Sequence, residues 1–116
     1  MVHNTEYEVL IETTAFIDMR GIFIYITDIL KAPQAAERVY QSIQSQLLTL
    51  ENMPARYNVV SDEPYASMGV RLMPVENYNA FFIISESDHE VHVIRILYNR
   101  RDWQSILQIN SSDLLS

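Results

Sequence analysis

The sequence predicts an α+β domain: an N-terminal strand and an antiparallel helical hairpin packed on a small, mainly antiparallel sheet, followed by a short C-terminal helix. Three observations predict it. Apolar residues recur at helical spacing through two successive stretches of the first half, broken at Lys31-Ala32-Pro33. The second half holds runs dense in Val, Ile, Phe and Tyr, separated by short polar turns, which is strand composition. A chain of 116 residues fits one domain spanning 1–116, and folding at that size buries about 65% of the unfolded surface, enough for a core without covalent help.

In order along the chain, Glu6-Tyr7-Glu8-Val9-Leu10-Ile11-Glu12 alternates acid and apolar residues and reads as a strand with one buried face. Thr14 is a candidate N-cap for a first helix, in which the apolar residues Ile22, Ile26 and Ile29, with Phe23 and Leu30, recur at helical spacing. Pro33 is tolerated in a first turn and not in a helix interior, so one helix ends before it and a second begins there. In the second helix Ala36, Val39, Ile43, Leu47 and Leu50 fall three or four apart, with Gln41, Ser42, Gln44 and Ser45 between them. The short connection makes the two helices antiparallel. Met53 to Met68, with Pro54, Asn58, Ser61, Asp62 and Pro64, reads as a long irregular connection of the kind that often forms a working surface. Strands are expected at about Gly69 to Pro74, Tyr78 to Ser85 and Glu90 to Tyr98, the last two joined as a hairpin by Glu86-Ser87-Asp88-His89. A final helix is expected from Asp102 through Trp103, Ile106 and Leu107.

Both faces of this sheet are apolar. Strict alternation sets Tyr78, Ala80, Phe82 and Ile84 against Asn79, Phe81, Ile83 and Ser85, and in the last strand it sets Val91, Val93, Arg95 and Leu97 against Ile94, Ile96 and Tyr98. A helical hairpin covers one face only, so the second face calls for the loop before Met68, the terminal helix or another chain. A homodimer or a bound partner is therefore expected.

With 8 Lys and Arg against 15 Asp and Glu, the net charge is −7. The acid is spread through both halves, and the chain has one lysine. Grip on free RNA or DNA is driven by neutralising phosphates, which this field opposes, so protein targets are favoured and direct binding of free nucleic acid is not expected. Zero cysteines exclude disulfides, thiolate metal sites and a cysteine nucleophile. Two glycines leave no Gly-rich phosphate loop, and no cofactor is called for. No apolar run approaches a membrane span, and Met1 to Tyr7 lacks a signal-peptide pattern, so a cytoplasmic location is expected. His89 and His92 lie three apart on a strand and face opposite ways, which argues against a zinc pair.

Arg71, Arg95, Arg100 and Arg101 are the basic residues of the sheet and its end. Guanidinium forks of this kind clamp a partner's carboxylates or stabilise a cleaved phosphate, while a structural ion pair to a helix is the competing reading for Arg95. Arg71 to Tyr78 reads Arg-x-x-Pro-Val-x-x-Tyr and ends on Phe81-Phe82. It is followed by the Glu90–Tyr98 strand and the double arginine, and preceded by the strand and two helices.

This order and these motifs resemble the RelE/ParE superfamily of bacterial toxins from type II toxin-antitoxin pairs. The resemblance implies growth inhibition, plasmid stabilisation and a cognate antitoxin that wraps the toxin, with Arg71, Tyr78, Phe81, Phe82, Arg100, Arg101 and Trp103 as candidate contact residues. Three readings stay open. A ParE-like member inhibits DNA gyrase by binding it, without catalysis. A RelE-like member cuts mRNA on the ribosome, where Arg71, Arg95 and Arg100 would act. An inactive member binds only its antitoxin. RNA-cutting relatives carry an arginine after the tyrosine of the third strand, where this chain has Asn79, and end in a catalytic tyrosine or histidine, where it has Asp102 and Trp103. Together with the charge, these departures favour the gyrase reading.

Overall fold

The computed structural model describes residues 6–99. Arg100, Arg101, Trp103 and the expected C-terminal helix lie outside the described residues. The elements run β1 (Glu8–Ile11), α1 (Thr13–Ile24) continued by a π-helical turn (Tyr25–Ile29), α2 (Pro33–Leu48), α3 (Tyr65–Met68), β2 (Arg71–Val75), β3 (Tyr78–Ser85) and β4 (Glu90–Tyr98). The sheet order is β1-β4-β3-β2, with β1 parallel to β4 and the other pairs antiparallel. The α+β architecture is the one the sequence predicts, and the β3–β4 hairpin has the predicted bounds. Among the described residues no helix is long and apolar enough to cross a membrane.

The hairpin α1–α2 packs on one face of the sheet. Pro33 opens α2 in its first turn, and Ala36, Val39, Ile43, Leu47 and Leu50 are all buried, as their spacing predicts. They meet Met73, Val75, Ala80, Phe82, Val91, Val93 and Ile96 from the sheet. From α1 the buried residues are Ala15, Met19 and Ile26, flanked by the partly buried Ile22 and Phe23. Ile29 and Leu30, which continue the same helical spacing, are exposed. The π-helical turn is the reason: its wider coil changes the phase of the stripe after Ile26 and turns the next residues outward.

A second correction concerns β4. The register with β3 shifts between Phe81 and Phe82, so that Phe81 faces Arg95 while Phe82 faces Val93, and Ile94 is the extra residue of a β-bulge. Past the bulge the alternation is offset. Val91, Val93 and Ile96 share the helix-side core, while Ile94 and Leu97 join Phe81, Tyr65 and Val70 on the opposite face. That second cluster is roofed by Val60 and Met68 of the irregular connection, which thereby supplies the cover the apolar second face requires. Gly69 ends α3 at φ 79°, in the left-handed region that glycine enters without steric cost.

β1 pairs with β4 only as far as Ile11 opposite Val93, and α1 then takes over the exposed edge of β4. The Glu12 N–H donates to the Val93 carbonyl at 2.9 Å, the Thr14 hydroxyl to the Ile94 carbonyl at 2.6 Å, and the Ile96 N–H to the Asp18 carboxylate at 2.9 Å. The expected role of Thr14 as N-cap is corrected here. Glu12 occupies that position, without a side-chain cap bond, and the Thr14 hydroxyl serves the strand. An edge closed by side chains from a crossing helix is protected from pairing with another chain.

Candidate functional site

The arginines picked out in the sequence are tied into the fold. Arg95 makes a two-pronged pair with Asp18 of α1, Nε to Oδ2 at 2.7 Å and Nη2 to Oδ1 at 2.9 Å, with the side chains only 14% and 13% exposed. Of the two readings for Arg95, the structural ion pair is the one present. Arg71 extends from β2 and donates through Nη1 to the Tyr57 carbonyl at 2.6 Å and the Ala55 carbonyl at 3.4 Å, pinning the irregular connection to the sheet edge. Arg56, which the sequence did not single out, bonds the carbonyls of Thr49, Asn52 and Met53 after α2 and lies 4.7 Å over the Tyr57 ring. A cation at carbonyls that have no further helical partner is favourable there. Arg38 makes a looser, exposed pair with Glu76 at 3.7 Å, of a kind that contributes about 0–1 kcal/mol.

The candidate aromatic contacts divide. Phe81 and Phe82 are fully buried, one in each cluster. Strand alternation points them to opposite faces, and in the free chain each is covered by the chain's own elements. Tyr78 is partly exposed and meets Tyr98 edge-on, ring centroids 5.8 Å apart. Burial raises its phenol above the ordinary value, with the neighbouring tyrosines and Glu76 adding to it. Asn79 stands opposite Leu97 in the β3–β4 ladder.

The two histidines serve separate contacts. His89, in the β3–β4 turn, stacks on Tyr7 at 4.0 Å. His92 lies between Glu12, 2.7 Å from Nδ1, and Glu90, 3.0 Å from Nε2. The bond to Glu12 raises its pKa, partial burial opposes the rise, and Glu90 adds to it. Because the folded value lies above the unfolded one, the contact contributes fully below the ordinary histidine pKa of about 6.5 and is lost as pH rises through the raised value. Melting temperature should therefore fall as the pH is raised above about 6.5, and His92→Gln should flatten that slope. An unchanged slope in the variant would refute the assignment.

What stands out on the surface is apolar. Phe16, Ile17, Ile24, Tyr25, Ile29 and Leu30, all on α1 and its π-helical turn, are between 45% and 65% exposed. Isolated exposed apolar residues are ordinary, but six along one helix are not. Two depressions flank this ridge. One, of about 460 Å³, is lined by Thr13, Phe16, Ile17, Arg20, Phe23 and Tyr40. The other, of about 850 Å³, is a groove between the hairpin and the far end of the sheet, where Ile17, Tyr25 and Leu30 face Tyr78, Leu97 and Tyr98. The Asp18–Arg95 pair and Arg38–Glu76 supply its polar parts. Such a surface suits an amphipathic protein segment, with an apolar stripe to cover the ridge. Sequence reasoning placed the sticky surface on the sheet and missed this one. The signal was present: from Thr13 to Leu30 only Asp18, Arg20 and Asp28 are charged, and a helix apolar on every side has more to bury than one neighbour covers.

Comparison with known proteins converges on one group. Residues 9–103 match the family described as ParE toxin of type II toxin-antitoxin system, parDE. Among solved structures, the chain is similar to one of the chromosomal ParDE system of P. aeruginosa, at 22% identity and TM-score 0.66, covering 81% of this chain and 97% of that one. It is also similar to one from the toxin-antitoxin complex RelBE2 of Mycobacterium tuberculosis, at 18% and 0.57 over 80% and 98% of the two chains. A third likeness is to the RelE–RelB complex of Pyrococcus horikoshii OT3, at 15% and 0.51 over 83% and 98%. At these identities the structural likeness is one of fold. No curated protein sequence matches the chain.

Proposed function

The chain belongs to the ParE toxin family of type II toxin-antitoxin systems, and from that membership we propose that it stops growth by binding a protein target, DNA gyrase, without a chemical step, and that a cognate antitoxin neutralises it by covering the apolar ridge of α1. The observation that carries the non-catalytic reading is the engagement of Arg71 and Arg95. A metal-free ribonuclease needs guanidinium groups directed at the reacting phosphate, whereas Arg95 is neutralised by Asp18 and Arg71 is turned onto backbone carbonyls. The net charge of −7 supports the same reading, since long-range repulsion slows approach to any polyanion. An antitoxin partner is supported by the solved relatives, two of which are toxin-antitoxin complexes by description. Arg100, Arg101 and Trp103 remain contact residues in this proposal.

The test is a pair of assays on one preparation. Expression of the chain alone should arrest growth, and the purified protein should inhibit gyrase supercoiling or trap cleaved DNA, while mRNA on translating ribosomes stays uncut. Cleavage of ribosome-bound mRNA that disappears in Arg71→Ala would replace this reading with the endonuclease one. Normal growth at high levels of soluble protein would leave only antitoxin binding.

A further inference from the structure

We propose that, when no antitoxin covers it, the apolar ridge of α1 is closed by the same ridge of a second copy of this chain, the two helices running antiparallel about a two-fold axis beside Ile24. Ile17 and Ile24 form the crest, and both are exposed. They are seven residues apart, and so lie on one line of the helix to within about 20°. Charge and close approach both point to a second copy as the occupant.

Arg20 and Asp28 are exposed, and among the described residues neither makes an ion pair. They stand four residues before and four residues after Ile24. Positions eight apart on an α-helix differ in direction by about 80°. Asp28 falls in the π-helical turn Tyr25–Ile29, which rotates the chain less per residue and brings Asp28 nearer to the flank of Arg20. In an antiparallel pair each flank faces the same flank of its neighbour, so Arg20 of each copy meets Asp28 of the other. In a parallel pair the flank faces the opposite one and the two charges do not meet. A second copy carries both charges at this spacing by symmetry. Between Thr13 and Lys31 the charged residues are Asp18, Arg20, Asp28 and Lys31, so the acidic excess of the chain does not gather on the ridge.

Gly21 supplies the close approach. A glycine inside a helix is destabilising relative to alanine, and no other element requires it, since a Cβ there would meet nothing within 4 Å. On the flank away from Arg20 it stands eight residues from Ile29, which is 65% exposed. The same axis therefore lays the second copy's Ile29 over the bare backbone of Gly21. The six exposed apolar residues of the ridge present on the order of 600 Å² in each chain. A two-fold pair buries on the order of 1,200 Å², the lower limit of specific interfaces, which suits a micromolar dimer that yields to a tighter partner. An antitoxin that covers the ridge competes with the dimer, whichever molecule the protein targets.

Sedimentation of the full-length chain, purified free of antitoxin, should show a monomer–dimer equilibrium in the micromolar range. Arg20→Asp and Asp28→Arg should each weaken the dimer by about tenfold or more, since like charges then face each other. The double variant should return to within about threefold of the unaltered protein. Gly21→Gln should abolish the dimer while the diluted monomer melts no lower, because glutamine is the better helix former and has room. Circular dichroism checks that each variant is folded, and the charge reversals, at exposed positions, decide alone if Gly21→Gln is not. A monomer at every concentration up to about 100 µM, a dissociation free energy below about 5.5 kcal/mol, overturns the proposal. A dimer indifferent to these substitutions overturns it in favour of another surface. Single reversals that the double variant does not repair overturn it as well.

Discussion

Asp18→Ala should be the most damaging single substitution outside the apolar core, destabilising the protein by about 3–5 kcal/mol. The carboxylate accepts three bonds, two from Arg95 and one from the Ile96 N–H, and it sits at 13% exposure where α1 crosses the free edge of β4. Its removal leaves a guanidinium almost out of water with no counter-charge, and orphans a strand amide where β1 no longer reaches. The loss is to be read from urea unfolding against a total stability of about 5–15 kcal/mol. Asp18→Ala combined with Arg95→Met should recover part of it, since replacing both members of a buried pair with apolar groups is often close to neutral. About 1–3 kcal/mol should persist for the unmet Ile96 amide. A single-variant loss below about 1 kcal/mol would place the pair among solvent-screened contacts.

Phe16→Glu together with Ile24→Glu should abolish neutralisation by the antitoxin while leaving the fold and the growth arrest intact. Both side chains are about half exposed on α1, so a charge there costs little in the free protein. In a complex the same positions would be buried against the partner's apolar stripe, where unpaired carboxylates are strongly disfavoured. Buried anchors of this kind are worth about 2 kcal/mol or more each, so the pair should weaken affinity by about three orders of magnitude. Titration of the antitoxin by calorimetry measures the loss, and co-expression shows whether growth is still rescued. Affinity within a factor of about 10 of the unaltered protein, a change of about 1.4 kcal/mol, would move the antitoxin site elsewhere.

What the sequence by itself determined is what depends on local order. The stripe from Ala36 to Leu50 along α2 and the turn that ends it, the break at Pro33, and the bounds of β3 and β4 with their polar turn all follow from periodicity and turn chemistry, and the structure contains each of them. The family was readable for the same reason, since Arg71, Pro74, Val75 and Tyr78 fall within one strand, the short turn after it and the first residue of the next strand.

The destinations of the polar groups were decided only by tertiary structure. Arg95 and Asp18 are distant in sequence and meet because β1 stops at Ile11 and α1 replaces it along β4. Arg71 finds Tyr57 through the fold of an irregular connection that no periodicity describes. The bulge at Ile94 and the π-helical turn after Ile24 each displace a repeat by a fraction of its period. They thereby reverse the expected sides of Ile96 and Leu97 and leave Ile29 and Leu30 at the surface. A repeat in sequence shows which residues belong together, but which side of them meets water is set by the packing of elements far apart in the chain, where one extra residue in a turn or strand outweighs the pattern.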